Sequence, residues 1–337
     1  MMEKSLYLEE LKNELGNLKP DELKDIISDF NEYFVNGNKD GKTDAEIIES
    51  LGTSKFIASE LLKAYTEDDM IPEDLPVAGE YRKVDMQIEN GNLTIEPSHD
   101  EIAHVNMSDH SNQTLLSMDV MGDTLMIKVK QSRRFFPFGI GLKVPLVSVK
   151  LPVQMYESIR VNNDNGSTKG HSMHAEVVAI ESDNGRIELS HVVAKQLRTI
   201  SDNGRIMLTN VQVTELEVES DNGRLELSNV KADVVSAQSD NGRIELHDVQ
   251  GMIKAKTDNG RIVGYVKILT KPISLKTDNG SIELTMNHKP EHATIRVDRD
   301  WGKVSVFGEK SRDMIFGDGS VLIQLSSDNG SITVKEA

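Results

Sequence analysis

The sequence predicts two parts of different fold class: a small all-α bundle, then an all-β parallel β-solenoid (β-helix) with coils of about 19 residues. Three observations predict this. An Asp-Asn-Gly motif recurs at constant spacing from Asp164 to Asp240, apolar and polar residues alternate after each copy, and residues 1–66 show helical spacing. The predicted domains are a helical bundle at 1–66, an acidic linker at 67–78 and a β-repeat solenoid at 79–337.

The helical bundle is predicted to contain four short helices. Residues 3–16 form the first, and Pro20 begins the second, which ends at Asn36-Gly37. Thr43 with Glu46 is a capping-box pattern that begins the third helix, and Thr53 begins the fourth. The apolar stripes of these helices comprise Leu6, Leu11, Leu15, Leu18, Leu23, Ile26, Ile27, Phe30, Tyr33, Phe34, Ile47, Ile48, Leu51, Phe56, Ile57, Leu61, Leu62 and Tyr65.

Charge and composition exclude several classes of partner. The net charge is -17, and residues 1–75 carry 19 acidic against 8 basic side chains, which disfavours nucleic acid and favours a basic protein partner. The chain has no cysteine, no signal-peptide pattern and no apolar run of membrane-span length. We therefore expect a cytoplasmic protein with no cofactor and no membrane span.

The loop after the second predicted helix resembles the first half of a calcium-binding loop. Asn36, Asn38 and Asp40 have the ligand spacing, and Gly41 stands at position 6. Ile47 occupies position 12, where the bidentate glutamate belongs. A polar turn with a helix cap is therefore favoured over a calcium site at 36–47, and calcium binding stays open.

The helical part resembles the small helical signalling domain that accompanies PadR-type winged-helix regulators. The resemblance covers nearly all of 1–66 and depends on short apolar stretches. These are Leu11 with Leu15, Ile26 to Phe34, Glu46-Ile47 through Leu51-Gly52, Ile57-Ala58 and Leu61-Leu62. It implies that residues 1–66 bind a protein partner, for which a PadR-like regulator is the candidate.

Each repeat predicts two short strands and two bends. The strands are pairs of alternating apolar positions, such as Ile187 with Leu189 and Leu197 with Thr199. Asn-Gly suits a corner at which glycine adopts a positive φ, and stacked asparagines can hydrogen-bond along the axis. The predicted corner residues are Asn184, Gly185, Asn203, Gly204, Asn222, Gly223, Asn241 and Gly242. An array of hairpins is the competing geometry, because Asn-Gly is also a hairpin turn.

The repeat is regular only over 162–284. Residues 79–161 predict an irregular start of the same β region, and residues 285–326 interrupt it as a cap or insertion. The β region resembles a bacterial putative-adhesin β-strand-repeat family of unknown function. That resemblance depends on the Asp-Asn-Gly-Arg-Ile-Glu-Leu runs at 183–189 and 240–246, covers most of 79–337, and implies fold more than function.

An arginine follows the glycine in five repeats, and this row is the candidate interaction surface. Its members are Arg186, Arg205, Arg224, Arg243 and Arg261. A ligand strip for an acidic polysaccharide or protein is one interpretation; compensation by Glu188, Glu226 and Glu245 is the favoured one.

We find no catalytic or metal-ligand motif in the sequence. The least regular patch of the repeat region contains His171, His174 and His191. Solvated surface histidines are the favoured interpretation of this patch, ahead of a metal site. The sequence therefore predicts a non-enzymatic scaffold or protein-interaction protein, with a regulatory or envelope-stress link through the helical module. The alternatives are a carbohydrate-binding or polysaccharide-cleaving β-helix and a surface adhesin.

Overall fold

The structure is a computed structural model that describes residues 4–16, 18, 20–66, 75–77, 79–108, 114–131 and 144–337. It contains a small helical part followed by a large all-β part, which confirms the predicted division of the chain into an α part and a β part. The chain divides into two compact units. Most of the predicted linker lies outside the described residues, although Leu75–Val77 of that linker forms a strand.

The four helices begin close to the predicted positions. They are α1 (Lys4–Glu14), α2 (Pro20–Lys39), α3 (Asp44–Leu51) and α4 (Ser54–Thr66). Their caps follow the expected chemistry. The Thr43 side chain accepts from the backbone N–H of Glu46, and the Thr43 N–H donates to Glu46 Oε2 at 2.8 Å, which confirms the capping box. The backbone N–H and the hydroxyl of Thr43 both donate to the Glu46 carboxylate, and these two hydrogen bonds lower its pKa.

Helix α2 continues one turn beyond the predicted end at Asn36-Gly37. The backbone N–H of Asp40 donates to Asn36 O at 3.0 Å, so both residues of the predicted end remain helical. Gly37 marks a close contact instead, because a Cβ there would lie 2.8 Å from Ile47 Cδ1. In the calcium-like loop the Asn38 amide donates to Asp44 Oδ1 at 3.0 Å.

Two residues of the predicted stripes lie outside the core of the helical unit. Leu6 is 49% exposed and Phe56 is 58% exposed. Tyr7, which the stripes omit, is fully buried and packs its ring against Phe34 with centroids 6.0 Å apart. This burial raises the pKa of Tyr7 to about 12. The described core comprises Tyr7, Leu8, Leu11, Leu15, Ile26, Phe30, Phe34, Ile47, Leu51, Ile57 and Ala58.

The β unit is built from 23 described strands, most of which pair in parallel. From the start they are β1 (Leu75–Val77), β2 (Lys83–Asn90), β3 (Asn92–Pro97), β4 (Ala103–Ser108), β5 (Thr114–Met121), β6 (Thr124–Gln131), β7 (Leu146–Leu151), β8 (Tyr156–Asn165) and β9 (Thr168–His171). The regular region follows as β10 (His174–Asn184), β11 (Ile187–Ser201), β12 (Ile206–Gln212), β13 (Glu215–Ser220), β14 (Leu225–Ser239), β15 (Ile244–Thr257), β16 (Ile262–Val266), β17 (Ile273–Asn279) and β18 (Ile282–Met286). The final strands are β19 (Ala293–Trp301), β20 (Val304–Val306), β21 (Asp313–Phe316), β22 (Val321–Asn329) and β23 (Ile332–Glu336).

In the regular region each residue lies beside its equivalent in the next repeat. Ile187 pairs in parallel with Ile206, which pairs with Leu225, which pairs with Ile244. All four side chains are fully buried and form one continuous apolar column, as the predicted apolar pairs require.

The second bend is formed by residues other than glycine. Five residues at equivalent positions of successive repeats have left-handed φ values between 52° and 57°. They are Ser172, His191, Asn210, Asn229 and Asp248. Asparagine and aspartate tolerate this conformation better than most residues, so the bend needs no glycine. Asn229 Nδ2 also donates to Asn210 Oδ1 at 3.2 Å.

At both ends the repeats pair out of chain order. Strands β2 and β3 lie between β6–β7 on one side and β8–β9 on the other. At the far end β22 and β23 lie between β17–β18 and β19–β20. The degenerate copy at β19–β20 therefore lies outside β22–β23, and β21 pairs antiparallel with β19 on its other side.

Candidate functional site

The corner glycines form a column in which successive backbones approach closely. A Cβ on Gly204 would overlap the carbonyl oxygen of Gly185, far inside the 3.0 Å below which real Cβ contacts essentially never occur, and the same holds for Gly223 against Gly204. Neither residue has a positive φ. The prediction that these glycines adopt the left-handed conformation is therefore wrong; the close approach of neighbouring coils requires them.

The other motif residues bond along the same axis. Asn203 Nδ2 donates to Asn184 Oδ1 at 3.1 Å, and Asn222 Nδ2 donates to Asn203 Oδ1 at 3.0 Å, which confirms the predicted asparagine ladder. The buried Ser220 hydroxyl donates to Gly204 O at 3.3 Å. In the motif, serine satisfies a buried carbonyl, asparagine links the coils and glycine permits their contact.

The arginine row lies directly after the corner glycines, and its side chains are partly exposed. Its backbones are linked coil to coil, because the N–H of Ile187 donates to Arg205 O at 3.0 Å and that of Ile206 donates to Arg224 O at 2.9 Å. Arg243 and Arg261 continue the series through the N–H groups of Leu225 and Ile244. The structure therefore brings all five predicted arginines together in one line.

Each arginine of the row is paired with a glutamate of its own or the next coil. Arg186 contacts Glu188 at 3.0 Å. Arg224 contacts Glu226 at 2.5 Å and Glu245 at 2.6 Å, and thus joins two coils. The remaining pairs are Arg205 with Glu226, Arg243 with Glu245 and Arg261 with Glu283. This alternation matches the charge compensation favoured from the sequence.

Two lysines complete this strip. Lys169 contacts Glu188 at 3.6 Å, and Lys335 contacts Glu283 at 2.6 Å. Lys335 is far from Glu283 in the chain, and only the out-of-order stacking of β23 beside β18 brings them together. The motif spacing predicts the arginines but carries no signal for Lys335.

Glu245 is the most enclosed carboxylate of the strip. Its side chain is 10% exposed. Partial burial opposes its ionisation, but the hydrogen bond from Arg224 and the charge of Arg243 hold its pKa below the usual range. The arginine row thus depends on this carboxylate for two of its ion pairs.

We expect Glu245→Gln to lower the free energy of unfolding by about 2 kcal/mol at neutral pH, because two guanidinium groups lose an ionised partner. A depressed folded pKa contributes stability above the unfolded value of about 4.3, and this contribution is lost as the pH falls through the folded value. Urea unfolding of both proteins at neutral and strongly acidic pH should therefore show the difference only at neutral pH. The control is Glu176→Gln, whose exposed pair with Lys195 is worth less than about 1 kcal/mol. Equal losses in both variants would contradict the prediction.

The histidine patch brings two of its three members together. The rings of His171 and His191 are 5.0 Å apart and edge to face. His171 Nδ1 bonds Ser190 Oγ at 2.9 Å, and His191 Nε2 bonds the amide of Asn210 at 3.1 Å. Within the described ranges, no group of three or more His, Asp or Glu side chains is arranged to hold a metal ion. Of the helices described, none is long and apolar enough to cross a membrane.

The comparisons with known proteins agree with both parts of the chain. The model of the Toastrack DUF4097 family matches residues 81–335, and the model of the HAAS family, which is associated with PadR-type regulators, matches residues 6–60. The search of curated proteins finds no match.

Solved structures resemble the β unit at low identity. A putative adhesin from Bacteroides fragilis NCTC 9343 is 14% identical with a TM-score of 0.43, and the alignment covers 77% of this chain and 95% of that one. A putative lipid binding protein from Parabacteroides distasonis ATCC 8503 is 13% identical with a TM-score of 0.48, over 79% of this chain and 98% of that one. Because the Toastrack model covers most of the sequence, the chain belongs to the Toastrack DUF4097 family and carries a HAAS domain before the family region.

Proposed function

We propose that this protein is a non-enzymatic interaction scaffold whose HAAS domain binds a PadR-type regulator. The observation that carries the proposal is the match of residues 6–60 to a PadR-associated domain in the most acidic part of the chain. An acidic helical module favours a partner with a basic surface. The proposal includes a cytoplasmic location, which the absence of cysteine favours.

The β unit supplies the rigid part of this scaffold. We infer a parallel β-solenoid, and the parallel pairing of equivalent positions in successive repeats favours it over an antiparallel hairpin array. Each coil is fixed to the next by backbone hydrogen bonds, the asparagine ladder and the ion pairs of the arginine row. Such an array resists bending because every coil contacts its neighbours along its length.

Two exposed side chains of the helical unit are candidates for the regulator contact. Phe56 and Leu6 lie outside the core although they fall on the apolar stripes. Aromatic side chains are enriched in protein interfaces, so Phe56 is the stronger candidate of the two. Both residues provide sites at which the interface can be changed without disturbing the core.

The test measures binding of a purified PadR-type regulator to the full chain by calorimetry. We expect Phe56→Ser to weaken binding about 10-fold or more, as loss of an aromatic anchor does. The matched control is Ile268→Ser, which removes an apolar side chain of similar exposure from the β unit. Absence of binding by the unmodified chain, or equal effects of both substitutions, would contradict the proposal.

The carbohydrate alternative has less support. An acidic polysaccharide would need the guanidinium groups of the arginine row, and these are already paired with glutamates. A ligand carboxylate would have to displace a glutamate of the same chain. The ligand loses translational and rotational freedom when it binds, whereas the glutamate does not. The adhesin alternative stays a prediction, and cell fractionation distinguishes it from the cytoplasmic scaffold.

A further inference from the structure

The strand pair β22–β23 is held between two coils that both precede it in the chain. Residues of β22 pair in parallel with β17 on one side and with β19 on the other. Strand β23 likewise pairs with β18 and β20. We call the space between these coils the insertion slot. A strand pair with this pattern forms the same backbone hydrogen bonds in the slot whether it comes from the same molecule or from another one.

The slot is specific for the repeat motif. Gly330 stands between Gly280 and Gly302, and a Cβ on Gly330 would overlap the carbonyl oxygen of Gly280. Asn329 Nδ2 donates to Asn279 Oδ1 at 3.1 Å, and Ser327 Oγ donates to Gly280 O at 3.0 Å. An occupant therefore needs the serine, asparagine and glycine of the motif at fixed spacing.

A short crossover connects this element to the rest of the chain. Phe316 of β21 and Val321 of β22 both pair with Ala293, on opposite sides of β19. Residues 317–320 therefore span two strand spacings, about 10 Å, across the start of β19. Gly317 and Gly319 have left-handed φ values of 56° and 69°.

Two hydrogen bonds connect the crossover to residues at and just before the start of β19. His292 Nδ1 bonds Asp318 Oδ1 at 3.1 Å, and Thr294 Oγ1 donates to Gly319 O at 2.9 Å. The crossover keeps β22–β23 in the slot of its own molecule only while residues 317–320 maintain their turn. Short hinge loops under such constraint favour exchange of the element between molecules.

We propose that the insertion slot accepts residues 321–336 of a second copy of this chain, so that two molecules exchange their last strand pair. All strand contacts are the same within one molecule and between two. The two forms therefore differ only in the crossover conformation and in the effective concentration of the element. High protein concentration during refolding favours the exchanged dimer.

Cross-linking of full-length variants tests the exchange. The chain has no cysteine, so Asn279→Cys and Asn329→Cys each introduce a single thiol at neighbouring positions of the asparagine ladder. We expect an equal mixture of these variants, refolded together at high concentration and oxidised, to form a disulfide-linked heterodimer. The control mixture pairs Asn259→Cys with Asn279→Cys, whose positions are also ladder neighbours but lie outside the exchanged element. If the heterodimer is no more abundant than in the control mixture, the proposal is overturned.

A change in the crossover gives an independent readout. Deletion of Asp318, Gly319 and Ser320 leaves one residue, which reaches about 8 Å and cannot span β19 within one molecule. We expect the mass of the folded protein to double in light scattering. The double variant Asn279→Cys with Asn329→Cys, oxidised before refolding, keeps the element in its own molecule and should remain monomeric. A folded monomer of the deletion variant, or a dimer of the locked variant, would contradict the exchange.

Discussion

Replacing Gly223 by alanine should lower the free energy of unfolding of the β unit by about 3 kcal/mol, the upper part of the range for added volume in a packed interior. The new methyl group would overlap the carbonyl oxygen of Gly204 and would also contact the Ser220 hydroxyl. Both groups are backbone or short buried side chains, so neither can move aside without separating the coils. Separation breaks the Asn222–Asn203 bond of the ladder as well.

Urea unfolding followed by far-ultraviolet circular dichroism measures this loss. Gly122→Ala is the matched control, because Gly122 has a φ of 66° but no atom within 4 Å of an added Cβ. It reports the conformational cost of replacing a left-handed glycine, about 1 kcal/mol. A second comparison, Asn222→Ala, removes ladder bonds alone and should cost about 1 kcal/mol. If Gly223→Ala is no more harmful than Gly122→Ala, the close approach of the coils is not what requires glycine.

Leu227→Ala should destabilise the β unit by about 3 kcal/mol, within the usual range for a fully buried leucine. Leu227 is completely buried and pairs in register with Leu208 and Leu246 above and below it. Truncation leaves a cavity between two fixed coils. Collapse around the cavity is limited because the ladder and the glycine column hold the coil spacing.

The comparison for this variant is Val234→Ala on the outer surface of the same strand. Val234 is 43% exposed, so its truncation should change the free energy of unfolding by less than about 0.5 kcal/mol. Calorimetric melting of both variants provides the measurement. Similar melting temperatures for the two would show that the apolar column contributes little to stability.

The sequence predicts the interior of the regular coils well, because periodicity records burial directly. Ile187, Leu189 and Leu197 are buried as their alternation indicates. The sequence does not show why the corners of the repeats need glycine. A glycine required for left-handed φ and one required for close packing are indistinguishable in a single sequence. For Gly204, its φ value and its distance to Gly185 in the structure distinguish the two.

Two other features depend on contacts between segments far apart in the chain. The placement of β22 beside β17 brings Asn329 next to Asn279, and no local pattern encodes that order. The exposure of Phe56 also depends on such contacts. An apolar stripe identifies the apolar residues of a helix but not which of them the neighbouring helices contact.

The fixed register between repeats makes the length of this protein adjustable in whole steps. Removal of residues 205–223 would join Gly204 to Arg224 and leave the glycine column, the asparagine ladder and the arginine row each continuous, because every position meets its equivalent one coil further on. A shorter step is accommodated where β15 pairs with β14, because a register shift between Lys231 and Val234 absorbs the missing residue before the next corner. Stability in such an array is approximately a sum over neighbouring coils, so gain or loss of one coil changes reach while the ends stay the same. Repeat number can thus set the distance between the two ends of the β unit independently of what either end binds.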